Sequence, residues 1–124
     1  MNDKKPWIII SAISGFTAVA IGAFGAHGLK ESLSTEMLDV YKTGVLYQLV
    51  HSVVLLVLSL YPAIKSKLPL IFFLLGIILF SFSLYIYSVT GVLAFAMITP
   101  VGGICFLIGW LLIIYEVVKI KSRD

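Results

Sequence analysis

Long apolar stretches alternate with short polar segments along this chain. The apolar stretches cover about residues 7–26, 44–61, 68–88 and 99–118. About 20 helical residues cross the ~30 Å hydrocarbon core of a bilayer, so each stretch has roughly the length of a membrane-spanning helix. The pattern predicts an all-α membrane protein: a single domain over residues 1–124, in which four transmembrane helices pack as a compact bundle.

The start of the fourth span has two interpretations, because residues 89–103 stay apolar throughout. A helix that begins near Val92 contains Pro100 and needs a kink there. A helix that begins near Thr99 uses the Thr99 hydroxyl as its cap and has Pro100 in its first turn, where proline is tolerated. We favour the start near Thr99, since the ~28 Å from Thr99 to Val118 just spans the hydrocarbon.

The first loop, residues 30–44, is the most polar connection. Ser34 is suited to cap a helix, and Glu36 suits its first turn. Apolar residues then recur at helical spacing, which predicts a short amphipathic helix at the outer membrane surface, either separate from the second span or running into it. A plain solvated connection and a lid over an outward-facing pocket are the alternatives.

Composition supports a membrane protein. The chain is 60% apolar and 12% charged, against roughly 45–50% and about 25% in soluble domains. The formal charge is +3, but Lys and Arg occupy termini and loops and do not line a face interleaved with aromatic residues. We therefore expect no nucleic-acid partner. The single cysteine, Cys105, excludes an intramolecular disulfide and lies in an apolar run, which favours inert packing.

The distribution of basic residues predicts the orientation. Cytoplasmic segments of membrane proteins are enriched in Lys and Arg. The first stretch is longer than the apolar region of a typical signal peptide, so we expect it to be a retained helix. The termini and the second loop then lie on one side, which predicts that both termini are cytoplasmic. That side carries Lys4, Lys5, Lys65, Lys67, Lys119, Lys121 and Arg123, and the other carries Lys30 and Lys42.

Small residues form a stripe along the first span. They are spaced 4, 3, 4 and 3 residues apart, which places them on one helix face: Ser11, Gly15, Ala18, Gly22 and Gly25. A similar strip in the fourth span contains Gly102, Cys105 and Gly109. Small residues let helix backbones approach closely in lipid. Packing inside the bundle is favoured over a seam with a second copy or a partner membrane protein. Gly28 is expected to end the first helix in a left-handed conformation.

Polar side chains within the spans are the candidate ligand-binding residues: His27, Gln48, His51, Tyr47, Ser81 and Tyr85. Buried polar groups in lipid need partners, and such residues often mark functional sites. The competing interpretation is that Gln48 and His51 bond to neighbouring helices and clamp the bundle, with the third span supplying partners.

Recognisable catalytic and metal-binding patterns are missing from the sequence. Two histidines without an intramembrane carboxylate do not make a tetrahedral zinc site. A bis-histidine haem would require His27 and His51 to face each other at similar depth. No nucleophile elbow or phosphate loop is present. We therefore expect no metal and no cofactor, and the balance is against an enzyme.

Four ordered motifs resemble a known family. They are GAFGAHGLK at 22–30, TGVLYQLVH at 43–51, LFSFSLY at 79–85 and TPVGGICFLIGW at 99–110. They are similar to the family of small membrane proteins called domain of unknown function 423, which has human transmembrane protein 256 as a relative. The resemblance implies a multi-pass protein, in bacteria in the plasma membrane, without an assigned activity or catalytic residues.

Two functional hypotheses follow. In the first, the bundle binds or passes a small lipid-like ligand, a lipid or a quinone, near the outer face, where His27, Gln48 and His51 contact it and membrane lipid is the partner. In the second, the protein is a structural or accessory subunit that acts through helix packing, as a homo-oligomer or with a partner membrane protein.

Overall fold

The computed structural model describes residues 3–122, with side chains through residue 120. Its helices are α1 (Lys5–Gly28), α2 (Thr35–Leu60), α3 (Leu68–Thr90) and α4 (Leu93–Ser122). All four are long and apolar enough to cross a membrane. The prediction of an all-helical, four-span membrane protein is confirmed.

Consecutive helices pack as antiparallel neighbours: α1 on α2, α2 on α3, and α3 on α4. The end of the bundle that holds residue 3, the 61–67 connection and residue 120 is called here the terminal end. A buried apolar cluster fills this half of the bundle between α2, α3 and α4. The other end, with the connections 29–34 and 91–92, is called the opposite end.

The polar first loop does not form a separate amphipathic helix. Ser34 caps α2, because its Oγ accepts a hydrogen bond of 3.1 Å from the Met37 N–H. From Thr35 the helix runs without a break to Leu60. The amphipathic segment is therefore the first turns of α2, the continuous form of the prediction.

The favoured start of the fourth span near Thr99 is wrong: α4 begins at Leu93 and Pro100 lies inside it. Gly91, with a φ of +71°, reverses the chain directly after α3. The apolar segment from Leu93 then satisfies its backbone groups by helix formation, which lipid demands. Thr99 is not a cap; its hydroxyl lies 2.6 Å from the Ser83 hydroxyl of α3.

The expectation of a left-handed Gly28 is also wrong. Among residues 3–122, Gly91 is the residue with positive φ. Leu29 continues the right-handed turn after Gly28. The chain leaves α1 through Ser32 and Leu33, whose N–H groups both bond to the Leu29 carbonyl, so no left-handed residue is required.

The stripe of small residues on α1 faces α2. Ser11 and Ala18 are buried. A Cβ added to Gly22 would lie 3.1 Å from Val45, and one added to Gly25 would collide with the Tyr41 ring. Gly15 also faces α2, with Ser52 beyond it at 4.0 Å. In α4, Gly109 and Gly102 face α3 in the same way. Both strips are used within the chain.

The middle of α3 is π-helical from Ile77 to Phe82. This segment lies against α4 at Gly102, where an added Cβ would collide with the Phe80 backbone and lie 2.7 Å from its Cα. Pro100 is two residues before Gly102 and lacks the N–H for a normal helical bond. Two irregular helix segments are therefore packed together, and π-helical turns often occur at functional sites.

Candidate functional site

Gln48 is the centre of a buried hydrogen-bond network that joins α1, α2 and α3. Its side chain is fully buried. The Nε2 group donates to the Ser14 carbonyl at 2.9 Å and to the Thr17 hydroxyl at 2.8 Å. The Tyr85 hydroxyl donates to Oε1 at 2.6 Å. Both amide protons and the amide oxygen have partners, so Gln48 is built to hold three helices together.

Serine hydroxyls extend this network. The Ser14 and Ser52 hydroxyls lie 2.6 Å apart, and Ser52 donates to the Gln48 carbonyl at 2.6 Å. Ser81 donates to the Gly44 carbonyl at 2.7 Å, which ties α3 to α2. Ser14, Thr17 and Ser52 were not among the residues singled out from the sequence. Their spacing of three in α1 and their proximity to Gln48 in α2 are the pattern by which polar residues pair between membrane helices.

His51 lies on a different side of α2, toward α4. Its Nδ1 is 2.8 Å from the Tyr47 carbonyl, and Trp110 donates its indole N–H to Nε2 at 3.2 Å. A carbonyl can only accept and an indole N–H can only donate. The network therefore assigns His51 as neutral imidazole with its proton on Nδ1.

Aromatic rings surround His51. Its ring stacks on Phe106, with centroids 3.8 Å apart and planes at 12°. Trp110 meets it edge-on at 5.9 Å, and Phe73 lies at 5.6 Å. Tyr47 stacks at 5.9 Å one helical turn away. The imidazole is thus held in one orientation by two hydrogen bonds and by rings from α2, α3 and α4.

A cavity of about 410 Å³ opens beside this histidine, between α2 and α4. Small-molecule sites typically occupy ~300–1,000 Å³. Ile104 and Leu107, which border the cavity, are 56% and 65% exposed, so it opens toward the lipid-facing surface. We call it the His51 cavity; its lining is Tyr47, His51, Phe80, Pro100, Gly103, Ile104, Phe106, Leu107 and Trp110.

His27 does not join this site. It is exposed and is the second-last residue of α1, at the opposite end. His51 is 16 residues from Thr35 and 9 from Leu60, so it lies ~24 Å from the opposite end of α2 and ~14 Å from the terminal end. The expected grouping of both histidines near the outer face is wrong, because α2 begins nine residues before Gly44, the predicted start of the second span. No single small ligand contacts both histidines.

The six candidate residues thus separate into three environments. His27 is exposed at the end of α1. Tyr47 and His51 border the cavity. The internal network contains Gln48, Ser81 and Tyr85. Sequence reasoning missed Trp110, although a tryptophan inside an apolar helix needs a partner for its indole N–H.

Sequence comparison with known proteins identifies the family of this chain. A family model described as "Protein of unknown function (DUF423)" matches residues 21–103. The chain belongs to the DUF423 family. The matched segment runs from α1 into α4 and includes Gln48, His51 and the π-helical segment of α3. It ends before Phe106 and Trp110, which complete the surroundings of His51 in this member of the family.

Bacterial relatives match nearly the whole chain. The UPF0382 membrane protein YwdK of Bacillus subtilis is 40% identical over 120 residues, covering 93% of this chain and 98% of the relative. The UPF0382 inner membrane protein YgdD of Escherichia coli K12 is 37% identical over 122 residues, covering 94% and 92%. No solved structure matches the chain. The names of these relatives agree with the four apolar helices: this DUF423 protein is a multi-pass membrane protein.

Proposed function

We propose that this protein binds a lipid-like molecule from the bilayer in the His51 cavity. The observation that carries the proposal is a polar pair at a lipid-facing opening, in which the Trp110 indole N–H donates to His51 Nε2. Polar groups at such a position are costly in hydrocarbon and are functional candidates by default. Gln48 does not take part, because it is fully buried and does not border the cavity.

The chemistry of the cavity favours a ligand with a flat polar ring, of the quinone type. Binding would open the Trp110–His51 hydrogen bond and replace it with bonds to the ligand. A ring carbonyl would then accept from the Trp110 indole N–H, and a ring hydroxyl of the reduced form would donate to His51 Nε2. Phe80, Phe106 and Tyr47 supply aromatic faces for the ring. The isoprenoid or alkyl tail would lie in the surrounding lipid, toward which the cavity is open.

We further propose that the terminal end faces the cytoplasm of a bacterial cell. Among the described side chains of this end, five lysines stand against Asp3 and Glu116. At the opposite end, Lys30 and Lys42 stand against three carboxylates. This asymmetry supports the orientation by the positive-inside rule. In a Cys105→Ala background, an impermeant maleimide applied to intact cells should label Ser32→Cys and leave Ser66→Cys unlabelled; the reverse pattern would overturn the orientation.

Tryptophan fluorescence tests the ligand proposal, because the chain has two tryptophans. The Trp7→Phe variant retains Trp110 as its reporter. Titration with a short-chain benzoquinone should give saturable quenching of that fluorescence. Adding His51→Ala should weaken the apparent affinity about tenfold, the effect of ~1.4 kcal/mol.

The comparison for collisional quenching is Trp110→Phe, which lacks the proposed N–H donor and retains Trp7 as the reporter at the terminal end of α1. Its quenching should rise linearly with quinone, as expected for collision in the detergent micelle. Equal, non-saturating quenching of both reporters would show that the cavity does not bind the quinone.

A further inference from the structure

A second cavity lies between α2 and α4, on the terminal side of the His51 cavity. Its volume is about 370 Å³, and Trp110 borders both cavities. The rest of its lining is aliphatic except for Tyr61, the residue that follows the end of α2. Val57 of α2, which borders it, is 58% exposed, so this cavity also opens toward lipid. We call it the apolar groove.

The apolar groove and the His51 cavity lie on the same faces of the two helices. In α2, residues spaced 4, 3 and 4 apart fall within about 60° of one another at 100° per residue. The first two border the His51 cavity and the last two border the apolar groove: Tyr47, His51, Val54 and Leu58. The corresponding line on α4 is Gly103, Leu107, Trp110 and Val117. Both helices run from the opposite end to the terminal end. The two cavities therefore follow one another along a single seam.

The junction of the two cavities lies near the middle of the hydrocarbon. His51 is ~14 Å from the terminal end of α2 by helical rise, and one leaflet of the ~30 Å hydrocarbon core is ~15 Å thick. A charged group is costly at this depth. The head of a ligand that reaches His51 and Trp110 must therefore be uncharged. A phospholipid does not qualify, because its phosphate stays at the membrane surface.

We infer that the ligand of the His51 cavity is a lipid with an uncharged ring as its head and a single tail, and that the first part of the tail lies in the apolar groove. This inference rests on the proposed function. The Trp110–His51 hydrogen bond crosses the seam at the junction, so a ligand that replaces it also opens the passage between the two cavities. The tail follows the groove for ~10 Å, the helical rise from Trp110 to Val117, and then joins the surrounding lipid.

The test compares two benzoquinones that share one ring and differ in its substituent, a methyl or a decyl group. Both are titrated into the full-length Trp7→Phe protein, with Trp110 fluorescence as the readout and concentrations given as mole fractions in the micelle. Lipid is as apolar as the groove, so the tail contributes by packing and the effect is modest. The decyl quinone should bind about fivefold more tightly than the methyl quinone, the equivalent of ~1 kcal/mol.

Variants of the groove show whether that preference arises there. Val57→Phe and Val117→Phe narrow the apolar groove from its two walls and should bring the ratio of the two affinities close to one, with the methyl quinone bound as before. The matched control is Val19→Phe on the lipid-facing surface of α1, which should keep the ratio. Val57 and Val19 are similarly exposed, at 58% and 63%, so neither substitution disturbs a buried core.

A competition experiment tests the uncharged head. Decyl phosphate carries the same tail on a charged head and should not displace the decyl quinone, whereas displacement would overturn this part of the inference. Saturable binding of both quinones with an unchanged ratio in Val57→Phe and Val117→Phe would overturn the tail path and leave the proposed function standing. Failure of the methyl quinone to saturate would instead overturn the proposed function, and this inference with it.

Discussion

Trp110 donates its indole N–H to His51 Nε2 across 3.2 Å, and this bond links α4 to α2 beside the lipid-facing His51 cavity. His51 is buried, whereas Trp110 is 42% exposed. The bond therefore lies at the edge of the bundle, where a ligand can reach it. It is also a structural contact between α2, which packs on α1 and α3, and α4, which packs on α3.

A double-mutant cycle should measure that contact. Trp110→Phe removes the indole donor to Nε2, and His51→Phe removes the acceptor, while both retain an aromatic ring. Polar contacts between membrane helices average ~0.6 kcal/mol and reach ~1.7 kcal/mol. We expect a coupling free energy in that range from unfolding in mixed micelles. Trp7→Phe, in place of Trp110→Phe, should give no coupling with His51→Phe; coupling of similar size there would contradict the assignment.

Gln48 should be more important for stability than His51. Gln48→Leu removes three side-chain hydrogen bonds and strands the Tyr85 hydroxyl in apolar surroundings. At ~0.6 kcal/mol for each contact, the loss is about 2 kcal/mol in the free energy of unfolding. The matched control is Thr43→Val, since the Thr43 hydroxyl bonds at 3.0 Å to Asp39 of its own helix. If the two variants unfold alike, Gln48 does not clamp the helices.

The spans and the family motifs were both recognisable in the sequence. The spans were predictable because a long apolar run in lipid satisfies its backbone hydrogen bonds by forming a helix. The start of α4 was not, because proline inside a helix is usually costly, whereas here residues 93–98 gain backbone hydrogen bonds by joining the helix. In the sequence, Gln48 and His51 lie three residues apart and were interpreted as parts of one site. They separate in space because one faces α1 and α3 and the other faces α4.

The position of His27 relative to His51 was also not predictable from the sequence. His27 lies at the end of α1, and the second span was predicted to begin at Gly44, only seven residues before His51. Both histidines were therefore expected near the first loop, in one shared site. The unbroken α2 instead extends ~24 Å before it reaches His51. Depth within a membrane depends on where each helix begins, and the caps that set those starts are single residues such as Ser34 and Gly91.

Lys4 should stabilise the terminal end by capping α2. Its buried ammonium donates to the carbonyls of Leu58, Tyr61 and Ile64, the last at 2.5 Å. Positive charge at a helix C-terminus is favourable by typically 0.3–1 kcal/mol. Lys4→Met should therefore lower the free energy of unfolding by about 1 kcal/mol. Lys5→Met removes the same charge from an exposed position and should have little effect; equal effects would mean that charge, and not capping, is responsible.

The same lysine predicts a pH dependence. Burial lowers the pKa of Lys4 from its ordinary value of 10.5, with the neighbouring Lys65 and Lys67 acting in the same direction and Asp3 opposing them. The unfolded chain then binds more protons than the folded chain between the two pKa values. The free energy of unfolding should consequently rise with pH in the range just below 10.5. Subtracting the profile of Lys4→Met from that of the wild type should isolate this rise, and a flat difference would contradict it.

Two adjacent glycines of α4 should respond oppositely to the same substitution. Gly102→Ala places its Cβ against the Phe80 backbone in the π-helical segment, which cannot move aside without shifting α3. We expect a loss of ~1–3 kcal/mol in the free energy of unfolding, the usual cost of overpacking. Gly103→Ala meets only the Phe80 ring, at 3.9 Å, an ordinary contact. Because alanine favours a helix over glycine by up to ~1 kcal/mol, Gly103→Ala should be neutral or stabilising. Unfolding in mixed micelles compares the two directly, and equal stabilities would show that α3 and α4 are not in close contact at the π-helical segment.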